Sequence, residues 1–134
     1  YEMQPERLSV LNNLVYLLAQ DPQTISRARA LMPKLLKIGS DSFAVMDTAA
    51  VVYLRSGDLV NAKIWMDRAM ASLDDDSYSA QEIRLNSAEL LARRGDFDEA
   101  RKGVAEVRQN AERTDYVDQK ARGLLRDIET LDRR

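Results

Sequence analysis

Histidine and cysteine are both absent from the 134 residues. Without imidazole there is no side chain that exchanges protons near neutral pH, and no imidazole zinc ligand. Without a thiol there is no disulfide, no thiolate metal site and no cysteine nucleophile. Glycine is scarce, with five in the chain, and they never cluster closely enough to cradle a phosphate. No apolar run approaches the length of a membrane span, so the sequence predicts no membrane insertion by this segment. A basic excess is missing as well. Net charge is −2 and the pI is about 5.2, where a nucleic-acid partner would reward a basic face. No cofactor or metal is expected, and the chain is read as not an enzyme. The lack of cysteine leaves the compartment open, since cytoplasm and periplasm both fit. The opening Tyr1-Glu2-Met3 has no start methionine and reads as the beginning of a fragment of a longer protein.

What remains is a composition of 45% hydrophobic and 31% charged residues, which suits a folded domain and not a disordered tail. The apolar residues recur at helical spacing. Val117, Ala121, Leu124, Leu125, Ile128 and Leu131 fall on one stripe of a helix. Punctuation residues divide the rest. Asp21-Pro22 reads as an N-cap before a proline at the first helical position, and Asp41, Asp58 and Thr114-Asp115 are further N-cap candidates. Ser79 with Glu82 and Asp96 with Glu99 have capping-box spacing. Gly39, Gly57 and Gly95 each follow an apolar run, where a left-handed residue ends a helix. These signals predict helices over 5–20, 22–38, 42–55, 58–72, 79–94, 97–112 and 115–132. Pro33, inside the second, predicts a kink or break.

The helices repeat in pairs. Arg55-Ser56-Gly57-Asp58-Leu59-Val60-Asn61-Ala62 echoes Arg93-Arg94-Gly95-Asp96-Phe97-Asp98-Glu99-Ala100, and Asp21 to Ala28 holds the same place in the first pair. Ala28 to Ala62 is 34 residues and Ala62 to Ala100 is 38, so a small insertion is expected at Asp74-Asp75-Asp76-Ser77. A period near 34 with Ala49, Ala50, Tyr53, Gly57-Asp58-Leu59, Ala62, Met66 and Ala69 resembles the tetratricopeptide repeat family. The third pair matches with Ala88, Leu91, Gly95-Asp96-Phe97, Ala100, Val104 and Val107, and the first with Leu11, Leu14, Val15, Leu18, Ala28, Met32 and Leu35. The family tryptophan is replaced by Leu11, Met46 and Arg84, and the closing proline is missing.

The resemblance implies an all-α fold: an α-solenoid of antiparallel helix pairs, with about three repeats at 8–39, 41–74 and 79–112 and a capping helix at 115–132, in one domain over 1–134. Ala50 and Ala62 are expected to meet across one hairpin, and Ala69 and Ala88 between repeats. The opening Leu11 to Ala19 resembles terminal repeats of bacterial proteins that serve envelope or exopolysaccharide machinery.

Candidate chemistry yields to plainer readings. A calcium loop counted from Asp74 would place Ser79 where glycine is needed and Leu85 where a bidentate acid is needed. Asp96 and Asp98 stand at a helix start, where acids offset the helix dipole. Arg93-Arg94 and Arg101-Lys102 are flanked by acids and read as surface charge. Trp65 reads as a packing residue.

In the family the first helix of each pair lines a concave groove that receives peptides. Carried over, that lining is Asn12, Asn13, Tyr16 and Gln20, then Asp47, Thr48, Val51 and Arg55, then Glu82, Asn86, Glu89 and Arg93. A subclass clamps a C-terminal carboxylate with lysines and asparagines. Asn13 and Asn86 hold asparagine-like places, but the lysines are absent and Asp47, Glu82 and Glu89 would repel an anion. The expected function is a protein–protein interaction scaffold or adaptor that binds a peptide or protein segment. The alternatives are a self-association module, which would make the chain a homo-oligomer, and a regulatory appendage of a larger enzyme.

Overall fold

Helix follows from this sequence because apolar residues recur every three or four positions and breakers fall between the runs. The computed structural model describes residues 5–72, 78–109 and 114–134, with side chains from 7–72, 80–109 and 114–134. Among them are seven helices and no strand: α1 (Pro5–Ala19), α2 (Ile25–Gly39), α3 (Phe43–Arg55), α4 (Leu59–Ala71), α5 (Tyr78–Arg93), α6 (Phe97–Arg108) and α7 (Asp115–Asp132). The acidic stretch Asp74 to Ser77 lies outside the described residues, as do residues 110–113.

One hairpin turn occurs twice with the same bonding. After α3 the Gly57 amide donates to the Leu54 carbonyl at 3.1 Å, and the Asp58 amide to the Tyr53 carbonyl at 2.8 Å. After α5 the Gly95 amide donates to Ala92 at 3.0 Å and the Asp96 amide to Leu91 at 2.8 Å. This pair of bonds is the Schellman motif, which satisfies helix-end carbonyls by turning one residue left-handed. Gly57 and Gly95 have φ of +85° and +87°. A side chain there costs about 1–2 kcal/mol although the space beside each glycine is open. Gly57→Ala should therefore lower the thermal midpoint with no change in helix content, measured by circular dichroism.

Asp58 also starts the next helix. Its Oδ1 accepts the Asn61 amide at 3.2 Å and its Oδ2 the Asn61 side-chain amide at 2.8 Å, with Arg29 at 3.9 Å. The side-chain bond from Asn61, then the Asn61 backbone amide, then Arg29 hold this carboxyl below its usual 3.8. A depressed folded-state value contributes stability above the unfolded value and loses it as pH falls through the folded one. The difference in melting temperature between the native chain and Asp58→Ala should be full at neutral pH and shrink below about pH 4.

Thr114 caps α7 as expected, accepting the Val117 amide at 3.2 Å. Other sequence expectations are corrected. Asp21 accepts the Gln23 amide at 2.8 Å within a turn, and α2 begins later, behind Thr24. That turn is stabilised differently, because the Thr24 hydroxyl donates back to the Leu18 carbonyl at 2.7 Å. Ser42, not Asp41, precedes α3. Asp96 makes no side-chain capping bond, so the box with Glu99 does not form. Its backbone is already engaged in the glycine turn, at φ −88° and ψ 66°, where the extended cap geometry is lost. Ser79 falls inside α5, which starts at Tyr78, and its side chain is outside the described ones.

Pro33 does not break α2, which runs unbroken across it. Pro33 and Arg29, the residue whose carbonyl loses its helical donor, are both exposed. Met32 and Leu35, both buried, hold the opposite face.

Gly39 is the largest correction. It is the last residue of α2, buried, and has no positive φ. A Cβ there would stand 2.7 Å from Leu8 Cδ1 and 3.0 Å from Val45 Cγ2. Its role is close approach of α2 to its neighbours, not a left-handed cap.

The chain divides into two compact units, Tyr1–Ala69 and Met70–Arg134. In the first, α1 packs on α2 and α3, and α2 packs on α3. Ala50 and Ala62 are both fully buried there. In the second, α5, α6 and α7 pack on one another. Their core is Leu85, Ala88, Ala92, Ala100, Val104, Val107, Val117, Ala121, Leu124 and Ile128, with Leu91, Phe97, Leu125 and Leu131 against it.

Candidate functional site

The residues expected to receive a partner separate by burial, and they are taken unit by unit. In the first unit α1 carries Asn12, Asn13 and Tyr16. Asn13 is exposed and Tyr16 half-buried, while Asn12 is buried. The Asn12 Oδ1 makes no hydrogen bond among the described residues. Gln20 is exposed and bonds back to the Tyr16 carbonyl at 3.0 Å, which caps the last turn of α1. On α3, Asp47 and Arg55 are half-buried, but Thr48 and Val51 are each 2% exposed. Val51, expected in the groove lining, is therefore a core residue and is not open to a partner. Helix geometry explains the split. Asn12 and Val15 share a face three residues apart, as do Thr48 and Val51, while Asn13, Tyr16 and Gln20 lie on the flank beside them.

In the second unit α5 carries Glu82, Asn86, Glu89 and Arg93. Asn86 is 2% exposed and is not a surface residue. Lys120, from α7, donates its ammonium to Glu82 Oε1 at 3.4 Å and to Asn86 Oδ1 at 3.2 Å. Asn86, expected in the groove lining, instead helps Glu82 hold α7 through Lys120. Glu89 and Arg93 pair with each other at 3.2 Å, one helical turn apart. The acidic bias expected from Glu82 and Glu89 is thus neutralised within the unit.

Lys120 was not singled out in the sequence. Its signal is there: it stands between Val117 and Ala121 on the edge of a buried stripe, where a lysine needs an acceptor. Arg101 similarly ties α6 to the end of α7, bonding Glu129 at 3.0 Å and also Asp132 and Asp98. Those bonds to Asp132 and then Glu129 raise the Arg101 pKa and give Arg101 a structural role. Arg94 lies 3.7 Å from Asp96, so the other basic pair is also accompanied by acid. Trp65 is 8% exposed with the Arg68 guanidinium 4.6 Å from its ring centre, a cation–π contact on a packed residue.

Also missed was a second apolar stripe on α1. Val10, Leu14 and Leu17 are 68%, 44% and 67% exposed. Leu14, one of the positions that match the repeat family, is thus on the surface. A helix apolar on two faces has two surfaces to cover, and Val10 to Leu18 has that character.

Among the described residues no group of acids could hold a metal ion, and no helix is long and apolar enough to cross a membrane. Comparison with protein-family models, with curated proteins and with solved structures finds no match.

Proposed function

We propose that this chain is a protein-interaction module of tetratricopeptide-like helix pairs, stacked as a solenoid and closed by α7, and that it acts as a scaffold without catalysing a reaction. The observation that carries the reading is the recurrence of one hairpin turn, with matched backbone bonds, at Gly57 and Gly95. A helical pair with an apolar face is covered by its neighbours, and a stack of such pairs offers a long row of first helices to a partner. In the first unit the side chains of these helices that reach the surface are the exposed Asn13 and the half-buried Tyr16, Asp47 and Arg55. Asn12, Val51 and Asn86 belong to the supporting layer.

The partner is an extended or helical protein segment that offers an apolar side chain to Tyr16 and a mixed polar backbone to Asn13, Asp47 and Arg55. Charge steers this encounter little, because acid and base alternate along the row. Selection from a displayed peptide library on the immobilised chain tests the reading. Peptides should enrich, and Tyr16→Ala should weaken the best of them about tenfold or more, as truncation of a central aromatic contact does. Failure to enrich any peptide, or binding indifferent to Tyr16→Ala and Asp47→Ala, overturns it.

A further inference from the structure

α2 differs in charge from the other described helices. Its sequence carries Arg27, Arg29, Lys34 and Lys37 and no acid, while every other described helix carries both signs. All of these cations are exposed. Arg29 is answered within the fold, 3.9 Å from Asp58. Arg27, Lys34 and Lys37 make no ion pair among the described residues. Cations elsewhere are set against acids, as Lys63 is to Asp67 at 2.9 Å and Arg108 to Asp118 at 3.6 Å. Positions 27, 34 and 37 fall on one side of a helix, and a rise of about 1.5 Å per residue spreads them over about 15 Å. The opposite side holds Ala28, Met32 and Leu35 in the core, so the row stays at the surface. A chain of net charge −2 thus carries a local positive row whose field an anion relieves.

We propose that this row docks an acidic segment of a partner protein, laid along α2 with carboxylates against Arg27, Lys34 and Lys37. Charge complementarity selects an anion, and the surroundings of the row select its kind. Exposed Asp21 and Asp41 stand just beyond the two ends of α2. An anion much longer than the helix, such as a duplex or a lipid surface, meets acid at either end. A segment of about ten helical residues, about 15 Å long, lies between them. A lipid surface is disfavoured for a second reason. Helices that lie on membranes insert an apolar face. The apolar face of α2 is in the core, and its outer face offers only the small Ala30 and Pro33 between the cations. Those small side chains let a partner backbone come close. Arg27 adds a planar fork that can hold one carboxylate by two bonds. The proposal is independent of peptide binding on α1 and α3, because α2 is the second helix of its pair.

Fluorescence anisotropy of a labelled helical peptide tests it. The probe carries glutamates at i, i+3, i+7 and i+10 on an alanine background, and its control carries glutamines in their place. The glutamate peptide should bind the native chain at low ionic strength, and the glutamine peptide about tenfold more weakly or worse. Binding should fade as salt rises past about 0.15 M. Arg27→Gln/Lys34→Gln/Lys37→Gln should weaken the glutamate peptide about tenfold or more, since exposed ion pairs are modest singly and three are removed together. Glutamine keeps helix propensity, so the circular dichroism spectrum should not change. Lys102→Gln/Arg126→Gln/Arg133→Gln removes the same charge from exposed positions on and beside α6 and α7, and should leave binding within about twofold. Tyr16→Ala should leave it unchanged. No binding of the glutamate peptide, equal binding of the glutamine control, or equal losses in the two triple variants would each overturn the proposal. Tighter binding of phosphatidylserine vesicles or of a DNA duplex than of the peptide would overturn it as well, by making the anion a lipid or a nucleic acid. Loss of the acidic peptide in Tyr16→Ala would place it on the first helices, overturning this proposal while leaving the interaction reading in place.

Discussion

A chain ended at Arg113 should lose the folded second unit. The helix removed supplies Val117, Ala121, Leu124 and Ile128 to a core that otherwise holds six residues, three of them alanine. Burial of Val117, Leu124 and Ile128 contributes about 1.5–3 kcal/mol each. That total is comparable to the whole stability of a small domain, about 5–15 kcal/mol. The same truncation strips Lys120 from Glu82 and from the buried Asn86, and strips Glu129 and Asp132 from Arg101. The truncated chain should show less helix by circular dichroism than removal of α7 alone accounts for, and should bind a hydrophobic dye. A truncated chain with an unchanged melting transition for α5 and α6 would show that α7 is an accessory and not the closing layer.

The second large effect is expected at Gly39, and the other glycines give it contrast. Gly39→Val should cost about 1–3 kcal/mol, because a branched side chain must fit where a Cβ already meets Leu8 at 2.7 Å and Val45 at 3.0 Å. For a chain of this size that lowers the thermal midpoint by roughly 4 °C per kcal/mol. Gly39→Ala should cost less, because alanine gains about 0.5–1 kcal/mol over glycine in a helix and the Leu8 tip can move. Gly103→Ala should stabilise by a similar 0.5–1 kcal/mol, since its Cβ would meet Ala88 at an ordinary 3.5 Å. Equal melting temperatures for Gly39→Val and the native chain would mean that α2 does not approach α1 and α3 as closely as described.

These glycines show what sequence can and cannot convey. Gly57 and Gly95 were legible because Gly-Asp follows an apolar run and leads into another, and the turn needs both a left-handed residue and a new cap. Gly39 carries the same local signal, an apolar run followed by Ser40-Asp41, yet its reason is the distance to Leu8, a residue 31 positions away in the chain. Helix ends were legible to within a few residues for the same reason that the turns were. The start of α2 was not, because the Thr24 hydroxyl reaches back six residues to Leu18, a bond no local pattern announces.

The candidate site was legible only in part. Helical spacing puts Asn12, Asn13 and Tyr16 near one another, but it cannot say which flank of α1 is covered. Burial of Asn12, Val51 and Asn86 and exposure of Val10, Leu14 and Leu17 are set by which helix lies alongside, a long-range fact. Lys120 is the sharpest instance: its place at the edge of the α7 stripe calls for an acceptor, but only the fold shows that the acceptors are Glu82 and Asn86, two residues expected in the groove lining.

The central claim is that the first helices of the pairs receive a protein segment. Its most direct measurement is amide chemical-shift mapping of the labelled chain titrated with a peptide enriched on it. The account predicts saturable shifts at Asn13, Tyr16, Asp47 and Arg55, with the exposed Lys63 and Asp67 of α4 unmoved. Shifts concentrated on α2, α4 or α6, with none on α1 and α3, would contradict it.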